Sequence, residues 1–327
     1  MFGLTLFELL LFLKQLGVTL AGGAALWGLV FFWKSRHVPA GQKNVFLGLS
    51  EKLIFLFAAG MMIAALAWLG IHSFYPNPIF AHEGINLPPV LSEIYAAFEF
   101  TTPLFFALSL FFLITLFFYR AKHQIFRRYL GFFYFGALLG TLAIFSLPAW
   151  RGVWDSIQWF YLGHSVHSIM TLGTVAVLDY LFWLTQHSHH THKYLYPIFP
   201  AISKVIWIGL GIDFLSVALI FNKAFDPTAK FYFMQTVVAI LIINGGLLSG
   251  PITKKLLSFK DGEKPLEKKW AMLMGISGSI SIASWTTITF TDFFWSLTLS
   301  YWQMLLLYIF WVGLVYLTYR LLEKVRV

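Results

Sequence analysis

Two histidines and an aspartate stand inside an apolar run where lipid-facing sequence would carry none: residues 159–186 read WFYLGHSVHSIMTLGTVAVLDYLFWLTQ. On a helix advancing about 100° per residue, His164, His167 and Thr171 share one face, and Asp179 lies within about 60° of His164, roughly 22 Å further along the axis. Imidazole ligates haem iron, copper and zinc, and a buried carboxyl group can carry a proton. Such groups are expensive at membrane depth and usually face a protein interior or a water-filled cavity, which makes this run the first candidate for function. A plainer reading gives each histidine a hydrogen bond to a backbone carbonyl or a serine across a helix contact.

Other ionisable residues fall at a matching level. His72 ends the second apolar run, Glu93 and Glu99 open the third, Lys14 lies early in the first, and His82 sits in the connecting loop. His72 with either His164 or His167 could clamp a haem b between two helices. A copper site would instead use both His164 and His167, with Met170 or Met61 as soft ligands. The tract QHSHHTHK offers His187, His189, His190 and His192 to a transition metal, or is simply a solvated loop. Asp213, in the middle of GLGIDFLSV, joins Glu99 and Asp179 as a proton or ion path; the alternative is an interhelical hydrogen bond or, for Asp179, a pair with a lysine such as Lys204. With no cysteine in the chain, disulfides and thiolate-held metals are excluded.

The elements that must position these groups are membrane helices. Of the 327 residues 59% are hydrophobic, 19% aromatic and only 11% charged, too little polar surface for a water-soluble globule. Apolar runs predict an all-α polytopic bundle of about nine transmembrane helices, near 10–33, 53–74, 92–118, 129–147, 158–184, 203–221, 231–250, 270–290 and 301–319. The N-terminal stretch lacks a basic region and a cleavage site, so the first helix is expected to be retained. Most of the 23 basic residues fall in alternate loops, among them Arg36, Arg127, Arg128, Lys254, Lys255, Lys268 and Lys269. That bias predicts an N-terminus outside and a C-terminus in the cytoplasm, as in a bacterial-type inner membrane, and it accounts for the net charge of +9 without nucleic acid. The expected partners are the lipid bilayer and, beyond it, other membrane subunits or a redox partner.

An internal repeat organises the runs. An offset of about 150 residues sets Lys14 against His164, Gly17 against His167, Gly23 against Gly173, and Phe32-Trp33 against Phe182-Trp183. Four spans per copy is an even number, so the copies are expected to be parallel. The expected division is therefore a four-helix repeat over 1–152, a second over 153–295, and an added C-terminal helix over 296–327. The outer loop near 75–91 holds Pro76, Pro78, Pro88 and Pro89 and cannot be one continuous helix.

A histidine, then small residues with a glycine, then an aromatic end, as from His164 to Trp183, resembles the first helix of CopD-like copper-resistance proteins and HemJ-like four-helix modules. That resemblance implies that His164 or His167 ligates copper or haem, and that the N-terminal copy, with Lys14 and Gly17 at those positions, is a scaffold. No nucleophile elbow, phosphate-binding glycine motif or HExxH occurs. Three readings follow: an outer-leaflet histidine site for haem b in membrane electron transfer or porphyrin redox chemistry, a copper or other transition-metal permease, or a structural subunit of a membrane complex.

Overall fold

The computed structural model describes residues 6–74, 123–146, 156–185, 198–224, 228–257, 268–293 and 298–324, and the regular structure among them is entirely helical. In chain order the helices are α1 (Leu6–His37), α2 (Ala40–Phe74), α3 (His123–Ser146), α4 (Ser156–Ser168), α5 (Thr174–Thr185), α6 (Phe199–Ala224), α7 (Ala229–Leu247), α8 (Thr253–Leu257), α9 (Lys268–Phe293) and α10 (Tyr301–Lys324). Two π-helical turns, Ile169–Gly173 between α4 and α5 and Leu248–Ile252 between α7 and α8, join the helices on either side of them.

Local chemistry explains the helix starts. Thr228 accepts a hydrogen bond from the Phe231 amide at 3.2 Å and so caps α7. Ser300 and Gln303 form a reciprocal cap at α10: the Gln303 side chain accepts from the Ser300 amide at 2.9 Å, and the Ser300 hydroxyl accepts from the Gln303 amide at 3.4 Å. Pro251, which has no amide hydrogen to give, sits inside the second π turn, where the Thr253 hydroxyl donates to the Leu248 carbonyl at 2.6 Å.

Five helices among the described residues are long and apolar enough to cross a membrane: Leu6–His37, Ala40–Ile71, Phe199–Ala218, Ala229–Lys255 and Tyr301–Leu321. The chain is thus a multi-span helical membrane protein, with five such helices described where the sequence predicts about nine. The expected span near 92–118 lies outside the described residues. The expected span near 158–184 is divided by a π turn into α4 and α5, of 13 and 12 residues. The helix α9 is rich in hydroxyls that bond back to their own backbone, as Ser279 to Gly275, Thr286 to Ile282, Thr289 to Trp285 and Thr291 to Thr287. Those side chains lower its apolar character without breaking the helix.

The described helices belong to two compact units. One comprises Leu10–His187 and Val205–Phe225, the other Met1–Leu9, Ser188–Lys204 and Asp226–Val327. In the first, α1 is central and small residues let its neighbours approach to backbone contact. A Cβ added at Gly60 of α2 would stand 2.6 Å from the Gly17 carbonyl oxygen and 2.7 Å from the Ala21 amide nitrogen. On another face Gly23 lies directly against the backbone of Gly173, at the end of the first π turn, and Trp27 donates to the Thr174 hydroxyl at 2.9 Å. The Ser50–Lys52 turn of α2 ties the unit together: Ser50 donates to the Gly28 carbonyl, Tyr134 to the Ser50 carbonyl and Tyr180 to the Lys52 carbonyl, while Glu51 pairs with Arg127 at 2.7 Å.

In the other unit α7, α9 and α10 enclose Phe233, Val237, Ala283, Met304 and Tyr308. Polar pairs cross these contacts, with Asn244 donating to the Ser277 carbonyl and accepting from its hydroxyl, and Ser284 bonded to Tyr308.

Candidate functional site

The site lies where α4 crosses α6, and small residues again set the spacing. Gly163 leaves room for Ser216, which is buried and donates to the Ile212 carbonyl at 2.7 Å. Two turns along, Gly209 packs where α4 runs into the first π turn: a Cβ there would meet Thr171 Cγ2 at 2.8 Å, Met170 Cβ at 2.9 Å and the His167 carbonyl oxygen at 3.6 Å. The residues that approach Gly209 are those that approach Gly60 after an offset of about 150 residues, since Gly60 meets Gly17, Leu20 and Ala21.

Between these glycine contacts sit the ionisable groups. His164 Nδ1 lies 3.1 Å from Asp213 Oδ1. His167 Nδ1 lies 3.1 Å from the Gly209 carbonyl oxygen, and its Nε2 stands 4.0 Å from Asp213 Oδ2. The two imidazole rings are 5.7 Å apart and tilted by 34°. One carboxylate therefore faces two rings, one through each oxygen. The His164 side chain is 33% exposed, that of Asp213 26% and that of His167 only 7%, so the cluster has an open edge and a closed one. Beneath the rings the backbone is held as well, with Ser168 donating to the His164 carbonyl at 2.9 Å and Thr171 to the His167 carbonyl at 2.7 Å.

The first π turn follows at once. Because it winds more widely than an α-helix, faces projected at about 3.6 residues per turn do not carry across it. Ile169 and Gly173 are turned to α1, against Gly22 and Gly23, while His164, His167 and Thr171 face α6. Asp179, expected on the face of His164, is exposed on α5.

The haem and copper readings are corrected by this geometry. His167 is buried, with Nδ1 on the Gly209 carbonyl and Nε2 toward Asp213, and neither histidine lies in one of the five helices long and apolar enough to span a membrane. Among the described residues no group of three or more histidine, aspartate or glutamate side chains is arranged to hold a metal ion. An outer-leaflet site for haem b or copper on His164 and His167 is therefore not what these residues form, and the electron-transfer, porphyrin-redox and copper-permease readings fall with it. Of the remaining candidates, the side chain of His72 and residues Glu99, His187, His189, His190 and His192 lie outside the described residues.

The structure brings His164, His167 and Asp213 together and adds Gly209, which sequence reasoning missed. Gly209 precedes Asp213 by one helical turn, and Gly60 precedes Ala64 in the same way. That paired spacing was the available signal. In comparisons with known proteins, no family model, curated protein or solved structure matches the chain.

Proposed function

We propose that this multi-span membrane protein takes up and releases a proton at the His164–Asp213–His167 cluster, as the ion-coupling site of a membrane carrier. The observation that carries this reading is the placement of Asp213, on the membrane-long helix α6, with one oxygen 3.1 Å from His164 Nδ1 and the other 4.0 Å from His167 Nε2. A carboxylate shared by two imidazoles holds one negative charge against groups that gain a positive one on protonation, so a proton can be stored without leaving a net charge. The partly exposed edge at His164 and Asp213 gives the proton a way in, and at the His167 ring, where burial disfavours a positive charge, the Asp213 carboxylate works against that cost.

The wider architecture we propose is the one the sequence predicts: about nine spans, an N-terminus outside, a C-terminus in the cytoplasm of a bacterial-type inner membrane, and parallel repeats over 1–152 and 153–295 followed by a helix within 296–327. The matched contacts of Gly60 and Gly209 support the repeat, as does the contact of Gly23 with Gly173, its own counterpart at an offset of about 150 residues. Two parallel copies related by an axis along the membrane normal are a recurrent plan for carriers. The likeness of 164–183 to CopD-like and HemJ-like modules is retained for that helical plan alone.

The test is proton uptake into vesicles containing the purified protein and a pH-sensitive dye, driven by an imposed pH gradient. Uptake should fall at least about tenfold in Asp213→Asn, which keeps the shape and removes the charge. Wild-type vesicles no more permeable than protein-free ones, or full uptake in Asp213→Asn, would end the proposal.

A further inference from the structure

The hydrogen-bond partners of His167 decide which of its nitrogens can react. A backbone carbonyl only accepts, so the contact between His167 Nδ1 and the Gly209 oxygen at 3.1 Å requires a hydrogen on Nδ1. A neutral imidazole carries one ring hydrogen, and with Nδ1 occupied the lone pair is on Nε2, the atom turned toward Asp213 Oδ2. The titratable groups that act on this ring among the described residues are Asp213 on α6 and His164 on its own helix.

We infer that Gly209 is the positioning residue of this site: its carbonyl holds His167 as the Nδ1–H tautomer and thereby makes Nε2 the atom that takes the proton. This rests on the proton-binding reading above. Uptake forms an N–H bond at Nε2 and breaks an O–H bond of hydronium, leaving water. The cluster passes from one negative charge, on Asp213, to none, and release reverses both bonds. Only a residue without a side chain lets the carbonyl come this close, because a Cβ at Gly209 would press on Thr171 Cγ2 and Met170 Cβ. Gly209→Ala should therefore push the first π turn and the end of α4 from α6 and break the bond that selects the tautomer, while Asp213 itself is untouched.

The experiment is nitrogen NMR of the full-length protein in bilayers with labelled histidine, the His167 signals being identified by their loss in His167→Gln. In the wild type at neutral pH, His167 should be the Nδ1–H tautomer. In Gly209→Ala the ratio of Nδ1–H to Nε2–H should fall about fivefold, the factor that one ordinary hydrogen bond carries. Gly60→Ala, which crowds the corresponding contact of α1 with α2, should leave the His167 signals where they are. A wild-type ring in the Nε2–H form, an unchanged ratio in Gly209→Ala, or the same change in Gly60→Ala would overturn the inference. Should Gly209→Ala not fold, Gly209→Ala with Thr171→Ser removes the nearest methyl and keeps the hydroxyl; failing both, the wild-type tautomer decides. Lost vesicle uptake with an Nδ1–H ring would sink the proposed function alone, and intact uptake with an Nε2–H ring would sink the role of Gly209 alone.

Discussion

Two helix crossings in one unit share a backbone plan and differ in what fills them. Where α1 meets α2, Gly60 approaches Gly17, Leu20 and Ala21, and Gly17 in turn meets the Ala64 amide and Cβ, so the contact is made of backbone and methyl groups. Where α4 meets α6, Gly209 approaches His167, Met170 and Thr171, and Asp213 stands where the first crossing has Ala64. Three positions, lysine to histidine, glycine to histidine and alanine to aspartate, separate a seam with one ionisable side chain from a seam with a protonatable cluster. The crossing is thus a scaffold set by small residues, and the chemistry is placed on it by a few side chains.

If that contrast is right, substitutions should sort by what they strike. The largest effect is expected at the first crossing. Gly17→Val or Gly60→Val puts a branched side chain against backbone, which cannot move aside, and should cost about 3 kcal/mol or more or prevent folding, read from unfolding in detergent. Gly209→Ala presses mainly on a methyl and a Cβ and should cost only about 1–2 kcal/mol. Equal losses at the two crossings would break the distinction between backbone and side-chain contact.

Next in size is Asp213→Ala alone, which leaves His164 Nδ1–H without its acceptor and should cost about 1–3 kcal/mol as well as proton uptake. The double change Asp213→Ala with His167→Gly copies the first crossing at these two positions. It should abolish uptake yet be less destabilised than the sum of the single changes, because both partners of the pair are removed together. Strict additivity in that cycle would show that His167 and Asp213 do not act as a pair. The smallest effect is expected for Thr171→Val, which removes the hydroxyl bonded to the His167 carbonyl but keeps the shape; about 0.5–1 kcal/mol, with uptake retained, would place that hydroxyl in support of the helix and not in the site.

Much of this is legible in the sequence. Apolar runs with little charge identified a helical membrane protein, and the three-residue spacing of His164 and His167 put both rings on one face. The partner of His164 was not legible, because Asp213 is 49 residues away and meets it only through the way two helices cross. The π turn was not legible either: no residue type encodes it, and it interrupts the count of about 3.6 residues per turn on which the placement of Asp179 relied. Five membrane-long helices stand among the described residues where the sequence predicts about nine, and in α9 hydroxyls that satisfy themselves on their own backbone dilute the apolar run. The ligand chemistry of the histidines is hidden for a related reason. A histidine in an apolar run reads as a metal ligand until its burial and the carboxylate facing it are seen, and Asp213 meets His167 only through the crossing of two helices.

The contact of Gly23 with Gly173 sets a limit on how the chain can change over evolutionary time. At most helix contacts a bulky replacement can be compensated by a smaller one opposite. Here each glycine lies against the other's backbone, so no change in the facing residue can make room. The two positions are locked together, whereas a glycine that meets side chains, such as Gly209 against Thr171 and Met170, can be compensated from the other side. Descendants of this chain can gain, lose or move their ionisable groups, but the height at which α1 meets the end of the first π turn is inherited unchanged.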